Sequence, residues 1–96
     1  MVNGELFNIT GYDINASANS DFGATVVLNN NSTHFLVAQV DMQGDDIDAQ
    51  GKRTTLYNTT ARLIGSFEYR GEHDVKAAYA LALHLMTTDA LEHTGN

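Results

Sequence analysis

The stretch that decides the fold is YNTTARLIGSFEY, residues 57–69. Every second side chain in it is apolar or small: Tyr57, Thr59, Ala61, Leu63, Gly65, Phe67 and Tyr69. Between them stand Asn58, Thr60, Arg62, Ser66 and Glu68, with Ile64 the exception. Successive side chains of an extended chain point to opposite faces, so this alternation predicts a strand with one buried face. From Asp74 the period changes. Val75, Ala78, Tyr79, Ala82, Leu85 and Met86 recur at the spacing that makes one stripe along a helix. Gly71 separates the two elements. Glu72 and Asp74 put negative charge at the helix start, where the helix dipole favours it. Glu72 and Lys76 form an i,i+4 pair in the favourable order. The helix is expected to end near Thr87 or Thr88, or to kink there and run on to about Leu91. Ala78 and Ala82 let it sit close to the sheet, and Tyr79 and Met86 supply bulk.

The rest of the chain must complete the sheet. Residues 43–53 read as a polar, acidic connection with Gly44 and Gly51 as turn points. Residues 34–42 alternate as a strand, with Leu36, Ala38, Val40 and Met42 on the core face and Phe35, Val37, Gln39 and Asp41 on the other. Residues 24–28 make its hairpin partner across the asparagine-rich turn 29–33. Residues 15–23 are small and polar, a loop. Residues 5–14 form the first strand. Phe7 and Ile9 there are out of phase with Tyr12 and Ile14, which a bulge at Gly11 would repair. The expected architecture is α+β: one domain over residues 1–96, a four-stranded antiparallel meander with one C-terminal helix packed on one face, β-β-β-β-α. A single helix covers one face only. The other, carrying Val27, Phe35, Val37 and Ile64, is expected to lie open and to offer a homodimer surface.

A hydrophobic fraction of 43% supports a folded chain over a disordered one. With no cysteine, disulfides, thiolate metal sites and cysteine nucleophiles are excluded. No basic start leads into an apolar run, so no secretory signal is expected, and the setting is expected to be cytoplasmic. The longest nearly apolar run, residues 77–86, is far shorter than the roughly 20 residues a bilayer requires.

The net charge of -7 is unevenly placed. Lys52, Arg53, Arg62, Arg70 and Lys76 are the only Lys and Arg, and none precedes residue 52. The first 51 residues hold Glu5, Asp13, Asp21, Asp41, Asp45, Asp46 and Asp48, which account for the whole net charge because the later acids and bases balance. Direct binding to nucleic-acid phosphates or an anionic membrane needs clustered bases and is not expected. Attraction to a basic protein surface is, and these seven acids are the candidate partner-binding residues.

The remaining motifs fall short of a chemistry. Asp46, Asp48, Gln50 and Gly51 match the start of a calcium loop, but its twelfth position is Tyr57, where a bidentate Glu is needed. Asp13, Asn15, Ser17 and Asn19 lack the turn glycine and also end without an acid. His34, His73, His84 and His93 form no metal-binding pair, and His84 falls opposite the apolar stripe. No serine sits in a nucleophile elbow, and no glycine-rich phosphate loop is present. No catalytic residue, metal site or cofactor is therefore expected.

In size, acidity and lack of cysteine the chain is similar to small phage-encoded inhibitors of host defence, anti-CRISPR proteins among them. The similarity is one of composition, and no motif carries it. It implies a non-catalytic binding module, an inhibitor that occupies a basic, nucleic-acid-binding surface of its partner. The alternatives are a homo-oligomer joined through the open sheet face, with a structural or small-ligand role, and a small metal-dependent enzyme using His34 or His73 with the acidic connection.

Overall fold

The computed structural model describes the backbone of residues 2–20, 23–29 and 33–94, with side chains throughout those ranges except at 20, 42–46, 53–58, 93 and 94. Five strands precede one helix: β1 (Leu6–Asn8), β2 (Asp13–Ser20), β3 (Gly23–Asn29), β4 (His34–Ile47), β5 (Arg53–Glu68) and α1 (Gly71–Thr94). The α+β class, the antiparallel sheet and the C-terminal helix match expectation. The strand count is one higher than expected, because residues 5–14 are not a single strand. The sheet order is β1-β5-β4-β3-β2, with every neighbouring pair antiparallel. The break at Gly11 therefore sends the chain from one edge of the sheet to the other. Residues 15–19, expected to be loop, lie in β2, where 16–19 pair with β3 and Asn15 is a bulge.

This topology forces the sheet to curl. A flat five-stranded sheet would hold its edge strands about 19 Å apart, at about 4.8 Å per neighbour. Residues 9–12 join those edges, and they are folded into a turn by the Tyr12 N–H donating to the Ile9 carbonyl at 3.0 Å. Such a turn keeps its ends within about 7 Å. Gly11 supplies the left-handed backbone this demands, with φ +96°. The two edges must bend toward each other.

Curling gives the sheet two apolar faces, and both are buried. The concave face carries Ala24, Val26, Leu28, Leu36, Ala38, Val40, Ala61 and Leu63, with Phe7, Ile9 and Tyr12 packed over them. Phe7 and Tyr12 meet edge-to-face, ring centroids 5.8 Å apart. The convex face carries Val27, Phe35 and Val37 beneath α1, which contributes Ala78, Ala82 and Met86, with Ile64 partly buried beside them. The stripe read from the sequence is thus the buried face of the helix. His84 is exposed on its far side.

The assignment of faces is corrected. The helix lies on the face of Val27, Phe35, Val37 and Ile64, which was expected to be open, so these residues present no free oligomer surface. The face expected to meet the helix is instead the inside of the curl. Ile64 explains the error. Ala38 pairs with Leu63 and Val37 with Gly65, so Ile64 is an extra residue, a bulge. Ala61 and Leu63 face the concave side, and Phe67 and Tyr69 face the helix. The unbroken alternation of residues 57–69 conceals a change of face. Gly65 lies beneath the helix: a Cβ there would lie 2.5 Å from Leu85 Cδ2.

Candidate functional site

Residues 43–53, expected to be a connection, are mostly strand. β3 stops pairing with β4 at Asp41, and β1 with its flanking residues covers β5 over residues 59–63. Beyond those points β4 and β5 pair only with each other, Met42 opposite Tyr57 and Ile47 opposite Arg53. A two-stranded arm of about 20 Å, at about 3.3 Å per residue, continues from the sheet. Asp48 builds its tip. One carboxylate oxygen accepts the backbone N–H of Gln50 at 2.9 Å and of Lys52 at 2.8 Å. The Gly51 N–H donates to the Asp48 carbonyl at 2.9 Å, and the Asp48 N–H to that of Lys52 at 3.0 Å. This is an Asx-type turn, not the start of a calcium loop. The other calcium near-match, Asp13 to Asn19, runs along β2, an extended strand that cannot wrap a cation.

At the base of the arm, on the convex face, Leu6, Gln39, Asp41, Thr60 and Arg62 line a polar groove of about 270 Å³. Pairing across three strands assembles it. Leu6 and Gln39 both lie opposite Arg62, on either side of β5. Arg62 Nη1 reaches the Gly4 carbonyl at 3.5 Å. Gln39 ties the groove to the helix. Its Nε2 donates to both carboxyl oxygens of Asp89, at 2.9 Å each, and Thr25 Oγ1 donates to Asp89 Oδ2 at 2.6 Å. Thr25 is 1% exposed and Asp89 9%. A carboxyl group is buried at that cost only when hydrogen bonds replace its water, and here they do.

The structure scatters the seven candidate acids. Glu5 precedes β1 and Asp13 opens β2, and both are exposed. Asp41 is exposed in the groove. Asp48 is exposed at the arm's tip. Asp45 and Asp46 occupy arm positions opposite Thr55 and Thr54, their side chains outside the described residues, and Asp21 lies wholly outside them. Of the histidines, His34 approaches Glu68 at 3.6 Å on the surface, His73 and His84 are exposed, and the His93 side chain is outside the described residues. Among the described residues no three His, Cys, Asp or Glu side chains come together to hold a metal ion, and no helix is long and apolar enough to cross a membrane.

Sequence reasoning missed Asp89. The signal was there: it stands three residues after Met86 and seven after Ala82, on the apolar stripe. An acid on a buried stripe marks a polar contact across the core.

These parts define an α+β protein with one curled antiparallel sheet, one covering helix and a projecting acid-bearing arm. No family model, curated protein or solved structure matches the chain.

Proposed function

We propose that the chain is a non-catalytic protein-binding module that presents the β4–β5 arm and the adjoining Asp41 to a basic protein surface. The observation that supports this reading is the arm: two strands reach away from the sheet, bearing Asp45, Asp46 and Asp48 beyond the exposed Asp41. A projecting ribbon enters a groove that a flat face cannot. Acids on it raise the association rate with a basic partner and make affinity fall with salt. One form of this function is an inhibitor whose arm occupies a nucleic-acid-binding surface, competing for the cations that hold phosphates.

The experiment is affinity capture from a lysate, followed by mass spectrometry. It uses the wild-type chain and a triple variant, Asp41→Lys, Asp45→Lys and Asp46→Lys. Asp48 stays, because it forms the turn. With circular dichroism showing both chains folded, basic proteins should be retained by the wild type and lost by the variant. Equal capture by both chains rejects the arm as the contact.

A further inference from the structure

The concave face is incompletely filled. It is floored by small side chains, Ala24, Ala38 and Ala61 among them, and the N-terminal segment covers it with only Phe7, Ile9 and Tyr12. Phe7 pairs with Ala61 through β1, at the β5 side of the curl. Toward β2 a half-open pocket of about 140 Å³ remains, lined by Ile9, Ile14, Ala24, Val26 and Val40 together with the polar Ser17 and Asn19. Register explains the lining. Ser17 lies opposite Val26 and Asn19 opposite Ala24, so these short β2 side chains share the concave face and leave room above it. Ile14, 58% exposed, flanks the opening.

We propose that this cavity is a binding site for one small apolar molecule of about benzene's size. An apolar cavity of about 150 Å³ in another protein takes up benzene, and this pocket, though it opens to solvent beside Ile14, offers the water inside it few polar partners, so an apolar ligand can displace that water. The walls here are mostly aliphatic, the volume is similar, and Ser17 and Asn19 are the polar side chains among them that a ligand's polar group can meet. The short turn between β1 and β2 keeps the sheet edges near each other, so the pocket forms without a partner chain. The site lies on the opposite face of the sheet from the groove and does not depend on the arm.

The test uses the full chain with benzene as the probe, followed by methyl NMR. Expected are saturable shifts confined to Ile9, Ile14, Val26 and Val40, and a Tm several degrees higher at saturation. Ala24→Leu fills the cavity and should abolish both. Ser17→Leu plugs it from an exposed position, and should do the same should Ala24→Leu fail to fold. No shifts at saturating benzene, shifts spread over the whole surface, or shifts that persist in the folded filling variant each overturn the proposal.

Discussion

Replacing Asp89 by alanine should be the most damaging polar substitution in the helix. The change removes the acceptor of the Thr25 hydroxyl at 2.6 Å and of the Gln39 amide at 2.9 Å. Each such bond contributes about 1 kcal/mol net, and a buried donor stripped of its acceptor costs about 1–3 kcal/mol. Thr25, at 1% exposed, has no access to water in compensation, whereas Gln39 is only partly buried and recovers some. The sum is a loss of about 3 kcal/mol. For a domain of this size that lowers Tm by about 12–20 °C. Urea unfolding followed by far-UV circular dichroism measures it, with the slope m unchanged if only the native state is affected. Asp89→Asn keeps one acceptor and should lose about half as much. Thr25→Val removes the donor at nearly constant volume, so the Asp89→Ala/Thr25→Val cycle should show coupling of about 1 kcal/mol. A loss below about 0.5 kcal/mol for Asp89→Ala, or additivity in the cycle, would refute the role given to this contact.

Gly65→Ala sets a Cβ 2.5 Å from Leu85 Cδ2, the movable end of a half-buried side chain, so it should displace Leu85 and change stability by less than about 1 kcal/mol; an unmoved Leu85 methyl resonance would contradict the close approach. Asp48→Ala removes two acceptor contacts at the arm's tip and should speed amide exchange at Gln50 and Lys52 while leaving the core amides of β3 protected, as hydrogen-exchange NMR would show. Phe7→Ala opens the cover of the concave face and should cost about 2 kcal/mol in urea unfolding; a neutral result would mean that β1 adds nothing to the core.

The helix was the most legible element, because its stripe has one period and one burial face: Ala78, Ala82 and Met86 are buried as the spacing requires. The strands were legible as strands but not as faces. Two-residue periodicity says which residues share a side, and nothing about which side faces the helix when both are apolar. Phe35 and Leu36 are adjacent and both buried. Residues 15–19 were misread because Asn and Ser favour turns and Ala is a weak strand former, and pairing with β3 overrode those preferences. The arm was invisible to hydropathy. Its residues are mostly polar, with Met42, Ile47, Leu56 and Tyr57 scattered among them, and their extension follows from the cross-strand pairing of residues 42–47 with 53–57. Of the site, the exposure of Asp41 and Asp48 agrees with their charge. Asp89 required weighing a polar residue found on an apolar stripe.

The strand order carries a consequence for the nascent chain. β2, β3, β4 and β5 pair in the sequence in which they are made, but β1, made before any of them, must wait for Arg62, its partner, some fifty residues later. Until then the concave face lacks Phe7. The convex face waits longer, because its cover is the final helix, Gly71–Thr94. At roughly 5–20 residues per second, those 24 residues take roughly 1–5 s to make. Val27, Phe35 and Val37 therefore gain their cover only from the element made after all five strands, so the sheet and the helix must close on each other as one late step.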